Sequence, residues 1–134
     1  FSGMALVLDD SSTARKIVVD ALEKMGFSVV EAGDGQEGLD KLYEMYNIYG
    51  DDIDNTLKII ISDVEMPRMD GFHFAEKVKS DTRFANIPIL FNSSFSDSFS
   101  EERGRNAGGD GYLVKFDTSM FYDEIARVVR THMK

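Results

Sequence analysis

The chain has no cysteine and only two prolines among its 134 residues. The absence of cysteine excludes a disulfide scaffold, a thiolate zinc site and a cysteine nucleophile. Because 43% of the residues are hydrophobic, the chain is neither disordered nor collagen-like. Its length suits a single domain over residues 1–134, and the sequence leaves open whether residues 1–3 belong to the natural protein.

Basic residues and long apolar runs are also scarce. The 15 lysines and arginines stand against 24 aspartates and glutamates, which gives a net charge of −9. A nucleic-acid partner would need a basic face, so this class of partner is excluded. No apolar run approaches the roughly 18 residues of a membrane span, and no secretory leader opens the chain. We therefore expect a cytoplasmic protein that binds cations or basic partners.

Apolar runs alternate with segments of helical periodicity along the chain. Uninterrupted runs of Val, Ile and Leu indicate a parallel sheet covered on both faces. The sequence therefore predicts an α/β fold, a doubly wound, five-stranded parallel sheet with five helices, whose functional site lies at the carboxyl ends of the strands. The predicted strands are 5–9, 27–32, 57–62, 87–92 and 111–114; the predicted helices are 12–25, 35–46, 72–79, a segment ending near 106, and 118–132; residues 47–56 are predicted as a loop.

Polar residues follow four of the predicted strands at the edge where parallel strands end. They are Asp9 and Asp10 after the first strand, Asp63 after the third, Ser93 at the fourth and Lys115 after the fifth. Three carboxylates at one edge repel each other unless a divalent cation neutralises them, and oxygen ligands alone favour magnesium over calcium. A serine hydroxyl and a lysine ammonium would complete a pocket for a phosphoryl group. The sequence therefore predicts attack of a carboxylate on phosphorus, which gives an aspartyl phosphate.

Each of these residues also has an ordinary structural explanation. Asp10 can cap the first helix, and Ser93 with Ser94 can form a turn. Lys115 can be a surface lysine, as most lysines are. Only the shared position of these residues at the strand ends of one sheet favours a site. The G-x-G-x-x-G segment at 33–38 does not predict a nucleotide cofactor, because it follows the second strand and contains an acidic residue that repels a pyrophosphate.

Four segments of the chain resemble the receiver domains of two-component response regulators, the CheY-like superfamily. They are VLDDSS at 7–12, ISDVEMPRMDG at 61–71, IPILFNS at 87–93 and AGGDGYLVK at 107–115. The resemblance covers nearly the whole chain, and its Met-Pro and Met-Asp-Gly pairs are highly specific. It implies one receiver domain with the flavodoxin-like strand order 2-1-3-4-5.

The resemblance also implies a role for the residues at the strand ends. Asp63 would be the phosphoacceptor and would receive its phosphoryl group from a phosphohistidine on a CheA-like histidine kinase. Lys115 would contact the phosphoryl oxygens. Asp9, Asp10 and Asp63 would hold Mg²⁺ together with the backbone carbonyl of Glu65. Such a domain is a signalling module and not an enzyme in the usual sense, because it catalyses only its own phosphorylation and dephosphorylation.

Two further pairs of residues take their roles from the same resemblance. Ser93 stands where the family has its switch serine or threonine, and Tyr112 stands where it has the aromatic that follows that switch. Together they would change a partner-binding face near the last strand. Glu65 and Phe95 would flank the path of the hydrolytic water and set the lifetime of the phosphate, with Phe95 excluding water.

The chain departs from compact receivers in three places. Phe116 replaces the usual proline after the lysine, residues 47–56 add about ten positions, and the segment 92–100 is rich in serine. The serine-rich segment, the stretch EMPRMDG at 65–71 and Phe116 between Lys115 and Asp117 most resemble the receiver of CheV-type chemotaxis coupling proteins, in which it follows a CheW-like scaffold domain. The implied partners are a CheA-like kinase and a chemotaxis receptor and coupling complex.

Three alternatives remain open from the sequence. The chain could be a stand-alone CheY-like regulator, a pseudo-receiver that serves as a constitutive binding module, or a phosphatase with an aspartyl nucleophile. Phosphatases of that kind resemble Asp-x-Asp after the first strand, whereas this chain has the adjacent pair Asp9 and Asp10 there. The sequence does not reveal the cognate kinase, the output partner, any preceding domain, the oligomeric state or the role of residues 47–56.

Overall fold

The computed structural model describes residues 1–94, 98–115 and 120–132. The five strands are β1 (Met4–Leu8), β2 (Ser28–Ala32), β3 (Leu57–Ser62), β4 (Ile89–Ser93) and β5 (Gly111–Val114). The helices are α1 (Ser12–Lys24), α2 (Gly35–Tyr49), α3 (Ile53–Thr56), α4 (Gly71–Ser80), α5 (Ser98–Asn106) and α6 (Phe121–Thr131), and a 3₁₀ turn covers Gly50–Asp52. Within the described ranges, no helix combines the length and apolar character needed to cross a bilayer.

The strands form one parallel sheet in the order β2-β1-β3-β4-β5. Alternate side chains of each strand enter different cores, because successive residues of a strand point to opposite faces. Leu6 and Leu8 belong to the core beneath α2 and α4, whereas Ala5 and Val7 belong to the core beneath α1 and α6. The predicted doubly wound α/β sheet with its strand order is therefore confirmed, with α3 as an additional single helical turn.

The predicted loop at 47–56 is wrong, because most of this segment is helical. Helix α2 continues to Tyr49 and ends at Gly50, whose φ of +58° lies in a region that glycine adopts without strain. The side chain of Ile53 in α3 is 1% exposed and belongs to the core beneath α2. Asp52 accepts a hydrogen bond from the Asn55 amide at 2.8 Å. The Asp and Asn residues that suggested a loop thus stabilise short helical turns around one buried isoleucine.

Three helices begin directly after the loops at the carboxyl edge of the sheet, and each is capped by a side chain. Ser11, Asp34 and Asp70 accept hydrogen bonds from the backbone N–H groups three residues later. These caps fix where α1, α2 and α4 begin relative to the strand ends. The loops between strand and helix are therefore anchored at their helical ends, which helps to position the polar side chains at the strand ends.

Candidate functional site

The first part of the site is the acidic pair at the end of β1. Asp9 is 2% exposed, and its Oδ1 accepts a hydrogen bond from the Ser11 N–H at 2.9 Å. The Ser11 hydroxyl in turn caps α1 by accepting from the Ala14 N–H at 3.2 Å. Asp10 is exposed and does not cap the helix, so the capping alternative for Asp10 is wrong.

The second part is Asp63, which follows β3. Its backbone N–H donates to the Leu8 carbonyl at 2.8 Å, which sets it beside the acidic pair. Its Oδ1 accepts from the Val64 N–H at 2.8 Å. The loop that follows returns so closely that a Cβ at Gly71 would lie 2.0 Å from the Asp63 carbonyl oxygen. Only glycine fits at position 71, so Gly71 allows this loop to pack directly against the Asp63 backbone.

Lys115 joins these carboxylates from the end of β5. Its Nζ lies 2.9 Å from Asp9 Oδ2 and 3.1 Å from Asp63 Oδ2. Its backbone N–H donates to the Ser93 carbonyl at 2.6 Å, which ties β5 to the end of β4. The Lys115 side chain is 9% exposed, so the alternative of an ordinary surface lysine is wrong.

The electrostatics of this group follow from two buried carboxylates that share one ammonium. Burial and the neighbouring Asp9 carboxylate raise the pKa of Asp63 above its usual value, although the Lys115 ammonium opposes the shift. Burial lowers the pKa of Lys115, but hydrogen bonds to Asp9 and Asp63 outweigh this effect, and the pKa of Lys115 lies above its usual value. The group therefore keeps a protonated lysine and attracts further positive charge.

The three carboxylates suit a hard divalent cation. One carboxylate oxygen from each of Asp9, Asp10 and Asp63 can be chosen so that all lie within 4.8 Å of one another. Carboxylate oxygens suit Mg²⁺, and the exposed Asp10 leaves one side of the group open to the waters that Mg²⁺ keeps in its shell. Among the described residues, the three aspartates that were predicted to bind magnesium through their side chains therefore lie together.

An open cleft of about 700 Å³ lies beside this group. Of the predicted site residues, Asp10, Asp63, Glu65, Ser93 and Lys115 line it. The Glu65 side chain is exposed, whereas Ser93 is 1% exposed. The cleft therefore offers carboxylates, a hydroxyl and an ammonium around one space, as a phosphoryl site requires.

The switch candidate Tyr112 lies away from this cleft. Its ring is half-buried and lies 6.3 Å from the ring of Phe91 in β4. Phe91 meets Phe72 of α4 edge to face at 5.1 Å, and Phe72 lines the cleft. A chain of edge-to-face and tilted aromatic contacts thus connects Tyr112 with the wall of the cleft. The predicted roles of Phe95 and Phe116 concern positions outside the described residues.

Two features of the site were not predicted from the sequence. The Arg103 side chain of α5 lines the cleft, with its guanidinium carbon 5.0 Å from the centre of the Phe72 ring. The helical periodicity could have predicted that Arg103 faces the cleft only if the first residue of α5 had been known. The other feature is an ion pair between Arg68 and Asp34, with Nη2 2.6 Å from Oδ2.

Two residues of the G-x-G-x-x-G segment at 33–38 have structural roles, Asp34 in the ion pair and Gly38 in helix packing. Asp34 is 5% exposed; burial raises its pKa, but hydrogen bonds from the Glu37 N–H and from Arg68 outweigh burial, so the pKa of Asp34 is lowered. Arg68 has a φ of +64° in the loop after Asp63. A Cβ at Gly38 would lie 2.4 Å from the Leu8 side chain, so this glycine allows α2 to pack closely on β1.

Comparisons with known proteins agree with this geometry. Residues 5–125 match the family described as Response regulator receiver domain. The chemotaxis protein CheV3 of Helicobacter pylori is 53% identical over 96% of this chain and 42% of its own length. The sensor histidine kinase CheAY of Helicobacter pylori is 36% identical over 84% of this chain and 13% of its own length. The solved structure of the chemotaxis protein CheY4 of Vibrio cholerae has a TM-score of 0.79 and 30% identity, and the match covers 96% of this chain and 99% of that one.

Proposed function

Because the chain belongs to the response regulator receiver domain family, as a receiver of the CheY and CheV type, we propose that Asp63 accepts a phosphoryl group from the phosphohistidine of a histidine kinase. Such a receiver is a signalling domain and not a member of a conventional enzyme family. The observation that supports this proposal best is the position of Lys115, whose Nζ lies 3.1 Å from Asp63 Oδ2 in the acidic cleft. A buried ammonium beside a carboxylate is suited to binding an oxyanion that forms on that carboxylate.

The residues of the chain have distinct parts in this transfer. A carboxylate oxygen of Asp63 attacks phosphorus, the P–N bond to the imidazole breaks, and its electron pair remains on the imidazole nitrogen, which takes up a proton. The Val64 N–H holds Asp63 Oδ1 at 2.8 Å and so orients the carboxylate. Lys115 moves from its carboxylate partners to the phosphoryl oxygens, and the Ser93 hydroxyl donates to the same group.

We also propose that the site binds Mg²⁺ through Asp9, Asp10, Asp63 and the backbone carbonyl of Glu65. The clustered carboxylates of the first three residues support this proposal. When bound, Mg²⁺ supplies positive charge that offsets the carboxylates and the charge of the phosphoryl oxygens. The net charge of −9 makes that compensation important for any anionic phosphodonor.

Phosphorylation of Asp63 would act as a switch through Ser93 and Tyr112. The added dianion favours the arrangement in which the Ser93 hydroxyl points to it, and Tyr112 then occupies the space that Ser93 leaves. The surface formed by α5, β5 and α6 changes as a result. Glu65 and Phe95 flank the path of the hydrolytic water, and the charge of one and the bulk of the other favour a long-lived phosphate.

The biological setting that we propose is bacterial chemotaxis, with residues 1–134 as one receiver domain of a CheV-type coupling protein. Identity of 53% to CheV3 supports this setting, although the chain spans less than half of that protein. The kinase would be CheA-like, and the complex would lie in the cytoplasm, where the ATP that charges such kinases is made. A stand-alone regulator is the alternative, since the match to CheY4 covers 99% of that chain.

Mass spectrometry of the chain after incubation with acetyl phosphate and Mg²⁺ tests the proposal. We expect one phosphoryl group on the wild type, none on Asp63→Asn, and none on the wild type when EDTA removes divalent metal. Asp54→Asn, a change in the segment between α2 and β3, is the matched control and should be labelled like the wild type. A labelled Asp63→Asn would show that another residue is the phosphoacceptor. An unlabelled wild type would favour the pseudo-receiver.

A further inference from the structure

A basic side chain on the wall of the cleft has no carboxylate partner among the described residues. Arg103 lines the cleft together with Asp63, Glu65 and Lys115. Lys115 already forms ion pairs with two carboxylates, whereas no described carboxylate lies within ion-pair distance of the Arg103 guanidinium. The positive charge of Arg103 is therefore available to an anion that enters the cleft.

The position of this guanidinium is set by a buried aromatic ring. Its central carbon lies 5.0 Å from the centre of the Phe72 ring, and Phe72 is 5% exposed. Phe72 is itself held by the edge-to-face contact with Phe91 at 5.1 Å. A Cβ at Gly104 would lie 3.1 Å from the same Phe91 ring, so α5 lies close against β4 at this point. Contact with the ring face leaves the N–H donors of Arg103 free to bind oxygen.

The negative charge of the cleft lining indicates what Arg103 would contribute. Among the residues that the structure describes, four carboxylates line the cleft, and Lys115 and Arg103 are the basic residues that line it. An incoming phosphodonor carries negative charge and is repelled by this lining and by the net charge of −9. A guanidinium binds phosphate oxygens through two parallel N–H···O bonds, which gives it both affinity and orientation.

We propose that Arg103 binds the phosphoryl group of the incoming phosphodonor before that group is transferred to Asp63. The ligand class is an activated phosphate anion, either an acyl phosphate or a phosphoimidazole such as phosphohistidine. This proposal rests on the proposed function of Asp63. Arg103 contributes to capture of the donor, whereas Lys115 remains the residue that contacts the phosphoryl group after transfer.

The test compares phosphorylation rates of Arg103→Met and of a matched variant, Arg105→Met. Methionine keeps contact with the Phe72 ring and removes the charge. Arg105 lies two positions further along α5 and lines a different depression, beside Glu101 and Tyr112, so its replacement changes the net charge equally. The second-order rate constant of labelling would be measured with acetyl phosphate and with monophosphoimidazole at several salt concentrations.

We expect Arg103→Met to lower the rate constant about threefold to tenfold with both donors, where tenfold corresponds to about 1.4 kcal/mol. The rate of the variant should also depend less on salt, because an attractive charge has been removed. Arg105→Met should stay within a factor of two of the wild type. Arg103→Lys should recover only part of the loss, because lysine restores the charge but not the two parallel N–H···O bonds.

Three outcomes would overturn the proposal. They are equal rates for Arg103→Met and Arg105→Met, a loss with only one of the two donors, and a loss in Arg103→Met that is accompanied by weaker Mg²⁺ binding or a lower unfolding temperature. These outcomes concern Arg103 alone. Failure of the wild type to be labelled on Asp63 would instead contradict the proposed function.

Discussion

At the scale of single residues, the site depends on how three carboxylates are balanced by positive charge. Lys115 Nζ contacts Asp9 at 2.9 Å and Asp63 at 3.1 Å, whereas Asp10 forms no ion pair with a described residue. Two carboxylates share one ammonium and the third faces solvent, so a divalent cation is the natural complement. Asp10 can therefore bind a metal ion without breaking an ion pair to another described residue.

We predict that Asp10→Asn weakens Mg²⁺ binding about tenfold or more, because one charged ligand is lost while Asp9 and Asp63 keep their ion pairs with Lys115. Isothermal titration calorimetry with MgCl₂ measures the affinity of both proteins. Asp54→Asn removes the same charge from the chain at a distance from the cleft, and its affinity should match that of the wild type. Equal affinities for Asp10→Asn and Asp54→Asn would place the metal elsewhere.

Most of these residues could be predicted from the sequence for a simple geometric reason. Parallel strands end at one edge, so polar residues that follow β1, β3, β4 and β5 meet there whatever the details of packing. Arg103 and the pair of Arg68 with Asp34 could not be predicted in the same way. Their positions depend on the rotation of a helix against Phe72 and on a φ of +64° at Arg68, which no periodic pattern specifies.

At the scale of secondary-structure elements, the pair of Asp34 and Arg68 ties the loop after β3 to the start of α2. The pKa of Asp34 is lowered in the folded protein, so its contribution to stability is complete above the unfolded pKa and is lost as pH falls through the folded pKa. Because the Arg68 side chain is 66% exposed, we expect a modest contribution of about 1 kcal/mol.

We predict that the difference in unfolding free energy between wild type and Asp34→Asn is constant near neutral pH and shrinks below about pH 4. Asparagine also caps helices well, so the variant removes the charge and keeps the cap. Urea denaturation at a series of pH values gives the free energies. Asp20→Asn, which breaks the exposed pair with Lys16 at 3.2 Å, is the control and should show a smaller difference. A difference that grows at low pH would contradict the assignment.

The segment between α2 and β3 shows where prediction by composition fails. Five of its ten residues at 47–56 are Asp or Asn, which favours turns and caps. One apolar side chain decides the outcome, because Ile53 is 1% exposed and binds the segment to the core. The strands could be predicted well because whole runs of Val and Ile indicate them, whereas a single isoleucine between acidic residues carries little signal.

We predict that Ile53→Ala lowers the free energy of unfolding by about 2–5 kcal/mol, since it removes a fully buried side chain and leaves a cavity. Ile48→Ala is the matched control: Ile48 is 73% exposed at the end of α2, and its replacement should cost less than about 0.5 kcal/mol. Urea denaturation of both variants measures the difference. Equal losses would mean that α3 is not anchored by Ile53.

At the scale of the whole molecule, the cleft and the surface near Tyr112 are joined through the core. Tyr112 lies 6.3 Å from Phe91, and Phe91 lies 5.1 Å from Phe72 at the wall of the cleft. Tightly packed aromatic rings shift between alternative arrangements rather than deform continuously, so a change at the cleft favours another arrangement near β5. The segment at 47–56 follows the C-terminal end of α2, and its buried Ile53 belongs to the same core without taking part in these ring contacts.

We predict that phosphorylation changes amide hydrogen exchange in α5, β5 and the first turn of α6 and leaves exchange in α3 unchanged. The physical reason is that the dianion on Asp63 binds the Ser93 hydroxyl and so biases the packing of Tyr112. Ile53 belongs to the same core but takes no part in the ring contacts of Tyr112, Phe91 and Phe72. Exchange would be measured by mass spectrometry with and without acetyl phosphate and Mg²⁺. Ser93→Ala should still be labelled on Asp63 and should lose the change in α5 and β5. A change that persists in Ser93→Ala, or one centred on α3, would show that the signal takes another route.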